Sequence, residues 1–193
     1  KEINGQAVAT EIARHELYGC TGAEMVQEMK PYHIDFPNVK NNCLRFEVSP
    51  SIEESATFTD ADWAELGNDF MQRMGLANHQ YIIIRHSGTE SKKEQAHLHI
   101  LANRVSLSGE LYRDNWIGKK ATEAANAIAK ERNFVQSQDI GKVNKAEIKE
   151  AMDGVLKKMQ GFDFTKFKEE LGKRGFKVRE ARASTGKLNG YYV

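Results

Sequence analysis

The sequence predicts an α+β fold, a central antiparallel sheet with helices packed on it and a small C-terminal α/β extension. Three observations carry this. Residues 43–48, Cys-Leu-Arg-Phe-Glu-Val, alternate apolar and polar and stop at Ser49-Pro50, as a half-buried strand does. Residues 81–86 and 96–105 are apolar runs of strand length separated by a polar stretch, which predicts a hairpin with a long loop. Between them in kind, Trp63, Leu66, Phe70, Met71 and Met74 recur at helical spacing until Gly75.

The remaining elements follow in chain order. Residues 5–17 hold helix formers with apolar Ala7, Val8, Ile12 and Leu17, and a helix is expected there; a second, at 22–30, ends before Pro31. Thr59 or Asp60 offers a side-chain oxygen to the orphan amides that open the Trp63 helix. The polar stretch from Ser87 to Gln95 turns the chain between the hairpin strands, and Ser108-Gly109 marks the next turn. Residues 118–132 read as an alanine-rich helix. A main domain over 1–137, a linker at 138–144 and a basic extension over 145–193 are expected. The extension offers helices at 145–159 and 165–174, then strands at 176–182 and 188–193 in a possible hairpin around Ser184-Thr185-Gly186.

Composition narrows the class. Of 193 residues, 40% are hydrophobic and 28% charged, and no apolar run reaches the ~20 residues of a membrane span. Cys20 and Cys43 have neither zinc-ligand spacing nor disulfide-scaffold density, and no signal-like start is visible, which points to a cytoplasmic compartment. The net charge of +1 hides an asymmetry, because residues 1–117 carry −6 and residues 118–193 carry +7. Basic charge gathered at one end suits a polyanionic partner.

Chemistry concentrates in His97-Leu98-His99. Residues two apart on a strand share a face, so both imidazoles point together while Leu98 and Ile100 point into the opposite apolar layer. His86 ends the preceding strand, and antiparallel pairing would bring it to roughly 5–8 Å from the other two. Three imidazoles leave coordination positions open for a substrate oxygen, as a Lewis-acid catalyst requires. By donor type they suit zinc, iron, nickel or copper better than magnesium. His15, His33 and His79 are scattered and expected at the surface.

A histidine eleven residues before a His-x-His strand, with Asn103 following, resembles the metal motif of the HUH endonucleases. Tyr112-Arg-Asp-Asn-Trp-Ile-Gly-Lys-Lys120 and the alanine-rich helix after it, with the 43–50 and 80–86 segments, are similar to mobilisation relaxases of the Bacteroides type. The resemblance spans roughly residues 11–137. It implies a sheet of about five strands, a Mg²⁺ or Mn²⁺ cofactor, and a tyrosine that attacks one phosphodiester of origin-of-transfer DNA and keeps a 5′-phosphotyrosyl link. Single-stranded or hairpin DNA is the implied substrate, with accessory relaxosome proteins and a coupling protein as further partners. Such relaxases carry the nucleophile very near the native N-terminus. Tyr18 is the candidate within the chain, followed by Tyr32, and a tyrosine upstream of Lys1 is the stronger expectation. Tyr81, Tyr112, Tyr191 and Tyr192 read as structural.

Asn103 shares strand parity with His97 and His99 and would orient a ligand or make a structural hydrogen bond. Arg104, Arg113, Lys119 and Lys120 are candidate contacts to the DNA backbone. Trp116 is expected in the core, with stacking on an unpaired base as its alternative. Three other readings remain open: a replication initiator or transposase with the same site, a non-cleaving DNA-binding module, and a three-histidine hydrolase unrelated to DNA.

Overall fold

The computed structural model describes residues 2–3, 6–7, 9–87 and 95–193; most of the expected Ser87–Gln95 turn lies outside them. The chain divides into two compact units, Lys1–Val135 and Gln136–Val193. In the first, β1 (Glu2–Ile3) and β2 (Gln6–Ala7) pair as a short antiparallel ribbon. There follow β3 (Ala9–His15), α1 (Gly22–Met29), a 3₁₀ turn (Lys30–His33), β4 (Cys43–Val48), α2 (Ile52–Ser55) and α3 (Asp60–Arg73). The long hairpin strands β5 (His79–His86) and β6 (His97–Ser106) come next, then α4 (Ile117–Glu131).

The α+β class holds: among the described residues the main sheet has four strands, where about five were expected, in the order β3-β5-β6-β4, and every neighbouring pair is antiparallel. One face is apolar: Leu44 and Phe46, Tyr81 and Ile83, and Leu98, Ile100 and Ala102 pack with Trp63, Leu66, Phe70 and Met71 of α3 and with Ala124 and Ile128 of α4. Each such large side chain contributes roughly 1.5–3 kcal/mol through burial. Thr59 caps α3 and Asp62 returns the bond to the Thr59 amide, which satisfies two orphan amides and fixes where that helix begins.

Residues 9–15 are a strand and not the expected helix. Their backbone pairs with β5, and a β-bulge at Ile12 puts both Ile12 and Ala13 against the core, which erases the two-residue alternation that marks a strand. The same bulge puts Glu11 and Arg14 on one face, where they form a two-bond ion pair at 2.5 and 2.6 Å. His79 is another correction: it is buried, donating from Nδ1 to the Asn103 carbonyl at 2.9 Å.

In the second unit, α5 (Ser137–Leu156) and α6 (Phe164–Lys173) precede a hairpin of β7 (Arg179–Arg182) and β8 (Leu188–Tyr192). Ala151, Val155, Phe167, Leu171 and Val178 form its own core. Residues 138–144, expected as a linker, are the first turns of α5, a helix whose later turns carry the buried Ala151 and Val155. No helix among the described residues is long and apolar enough to cross a membrane.

Two predictions follow from the packing. A Cβ at Gly67 of α3 would lie 2.7 Å from Ile83 Cδ1 and 3.3 Å from Leu98 Cδ1, so that helix sits on the sheet at a glycine-only distance. Gly67→Val is expected to destabilise the fold by about 1–3 kcal/mol in urea denaturation. Burial depresses the His79 pKa, the Asn103 hydrogen bond opposing it only in part. The unfolded chain therefore takes up the proton first as pH falls through about 6.5, and stability declines with acidification. Melting temperature is expected to fall between pH 7 and pH 5, and to fall less in His79→Gln.

Candidate metal centre

The sheet face opposite α3 and α4 carries the histidines. β5 and β6 pair with His86 opposite His97 and Ile84 opposite His99, so all three imidazoles rise from adjacent strands on one side. Their ring centroids lie 4.4 to 5.4 Å apart, and one nitrogen from each falls within 4.8 Å of the others. His97 is 4% exposed, and the other two are half-buried. β4 adds Glu47 opposite His99 and Arg45 two residues before it on the same face.

The hydrogen bonds define the tautomers. His97 Nδ1 lies 3.3 Å from the Gln95 carbonyl, which only accepts, so this nitrogen carries the proton and Nε2 offers its lone pair toward the cluster. Arg45 Nη2 donates to His99 Nδ1 at 3.3 Å, which places the proton of a neutral His99 on Nε2, 3.1 Å from His97 Nε2. These bonds form one consistent chain from Arg45 to Gln95. Ligation of a cation through His99 Nε2 would need the opposite tautomer, so it excludes the Arg45 bond. Burial, then His97 and Arg45, push the His86 pKa down; burial, then His86, His97 and Arg45, do the same for His99. Both are neutral near pH 7, the state a metal requires.

Three converging imidazole nitrogens, with one ring already oriented by a carbonyl, fit a divalent metal through His86, His97 and His99. The donor set alone does not select the ion.

Other expected site residues are placed differently. Tyr18 is 75% exposed and three residues past the end of β3, whose register runs from Ala9 beside His86 to His15 beside Tyr81. It therefore follows the end of β3 that is farther from the histidines, since His15 lies six residues, about 20 Å at ~3.3 Å per residue, beyond Ala9. Its hydroxyl donates to Glu16 at 2.9 Å, which raises its pKa and disfavours the phenolate. Tyr18 is not at the histidine site.

Asn103 is fully buried, with its amide donating to Gln80 Oε1 at 2.9 Å and its oxygen accepting from the Val105 amide at 3.1 Å. It is the structural hydrogen bond and not a surface contact. Arg104 is spent on Asp114 at 2.7 Å and on the Tyr112 and Asn41 carbonyls, so it pins the chain after β6. Arg113, Lys119 and Lys120 are exposed. Trp116, expected in the core, is 82% exposed.

Sequence reasoning missed Arg45, Glu47 and the carbonyl of Gln95. Alternation in 43–48 does put Arg45 and Glu47 on a common face, but nothing in the sequence makes β4 the neighbour of β6.

A histidine cluster on the two central strands of a helix-backed antiparallel sheet agrees with what the resemblance to the HUH endonucleases implies. The family model described as "Relaxase: MobA/VirD2-like, nuclease domain" matches residues 3–134, and the chain belongs to that family. Comparison with curated proteins and with solved structures returns no significant match.

Removal of a ligand tests the centre. His99→Ala is expected to weaken Mn²⁺ binding, measured by titration calorimetry, by more than the ~10–100-fold typical of outer-shell changes. Arg45→Met, which removes the competing donor, is expected to tighten it.

Proposed function

We propose that this chain nicks one strand of plasmid or mobile-element origin-of-transfer DNA for conjugative mobilisation, by tyrosine transesterification. The observation that carries the reading is the convergence of His86, His97 and His99 beside the point where β3 begins, since Ala9 pairs with His86. The first residue of β3, Ala9, lies beside His86, whereas Tyr18 follows the other end of the same strand. Residues 1–8 hold no tyrosine, so the nucleophile is assigned to native sequence upstream of Lys1.

In the proposed reaction the phenol gives up its proton to a base and its oxygen attacks phosphorus. The bond to the 3′ oxygen breaks, that oxygen takes a proton, and the 5′ phosphate stays on the tyrosine. His86, His97 and His99 would hold Mg²⁺ or Mn²⁺, which would supply Lewis-acid stabilisation of charge on the phosphate. His97, oriented by Gln95, fixes the geometry of the cluster, and Arg45 meets a phosphate oxygen once its bond to His99 is released. The covalent link stores the bond for religation, which hydrolysis would forfeit. The substrate is single-stranded or hairpin DNA, and accessory relaxosome proteins and a coupling protein are the further partners.

The test is incubation of the polypeptide carrying its native N-terminus with single-stranded origin oligonucleotide and Mn²⁺. A nicked product with protein on the 5′ phosphate is expected, with mass spectrometry placing the adduct ahead of Ala9. Binding without cleavage, or an adduct at Tyr18, overturns the respective claim.

A further inference from the structure

Trp116 sits where neither folding nor packing needs an indole. It is 82% exposed and precedes α4 in the left-handed conformation, φ 58° and ψ 30°, which bulky residues rarely adopt. The other tryptophan, Trp63, is 2% exposed and packs edge-to-face on Phe58 at 5.1 Å.

The surrounding turn is held firmly. The Ile117 amide donates to the Asp114 carbonyl at 3.0 Å, Lys120 Nζ donates to the Arg113 carbonyl at 2.8 Å, and the Arg104–Asp114 ion pair ties the loop to β6. Tyr112 and Ile117, on either side, pack against the core. A fixed backbone therefore presents the Trp116 ring outward, beside exposed Arg113, Lys119 and Lys120. Of the nearby acids, Asp114 is paired with Arg104, and Glu123 lies 3.9 Å from Lys119.

A flat aromatic face among cations matches the recognition of unpaired nucleic acid, in which a base stacks on the ring and its phosphates meet the charges. The patch is separate from the metal centre. Tyr112 bonds the backbone of Arg104, which lies five residues beyond His99 on β6, or about 17 Å at ~3.3 Å per residue.

We infer that Trp116 stacks on an unpaired base of single-stranded DNA, with Arg113 and Lys119 on adjoining phosphates, as a second grip remote from the histidines. This rests on the DNA-nicking reading and adds a contact that the histidine cluster does not supply.

The chain has two tryptophans, and one is buried, so intrinsic fluorescence reports on Trp116 directly. Oligo-dT is expected to quench wild-type emission and to leave Trp116→Phe, which retains only Trp63, unquenched. Trp116→Gly suits the left-handed backbone and is expected to keep its melting temperature while binding oligo-dT about tenfold more weakly, within the range for losing one base stack. Trp116→Phe is expected to keep most of the affinity. Blunt duplex of the same length should quench little.

Oligo-dT binding without quenching, undiminished affinity in Trp116→Gly, or equal quenching by duplex overturns the inference. His97→Ala separates it from the nicking reading, since that variant should lose the covalent product and keep the quench. Failure of any oligonucleotide to bind overturns both.

Discussion

Everything at the candidate metal centre depends on the register of β5 against β6. His86 opposes His97, and Ile83 opposes Ile100 on the other side of the same sheet. A slip of one residue would send His86 into the apolar layer and lift Ile83 into solvent, so the packing of Ile83, Leu98 and Ile100 under α3 fixes the histidines from behind. Gly67 lets that helix come close enough to do this. The core thus determines the geometry of the histidine cluster from the opposite face of the sheet.

On the exposed side, three imidazoles within hydrogen-bonding and stacking reach of one another are stable together only when few carry charge. Their mutual influence, their partial burial and the Arg45 guanidinium all favour neutral rings at His86 and His99. A cation entering the cluster would meet the lone pair of His97 Nε2, while His99 would first have to move its proton from Nε2 to Nδ1. Arg45 would then have to leave that nitrogen, which would leave its positive charge beside the cluster without this partner.

The sequence made the hairpin and its histidines legible because period two survives in 96–105 and the core demands it. The helix from Asp60 was equally readable through its cap and its apolar stripe. Legibility failed where tertiary context overrides local preference. Residues 9–15 look helical by composition, but the free edge of β5 recruits them as a strand. Asn103 has the parity of the ligands but lies deeper, where Gln80 and the Val105 amide enclose it. Trp116 reads as core by residue type, yet the left-handed turn before α4 faces it outward. Face alone does not tell how far along a strand the cover extends.

The bulge in β3 has a consequence for chain length. Ala9 to Glu11 pair with one register of β5, and Ala13 to His15 pair with the next, so Ile12 is the residue that absorbs the offset. A chain one residue shorter at that point could pair regularly throughout and still deliver Ala9 to His86. The bulge is thus an expansion joint: the loss of one residue within the strand can be taken up there, while Ala9 stays beside His86.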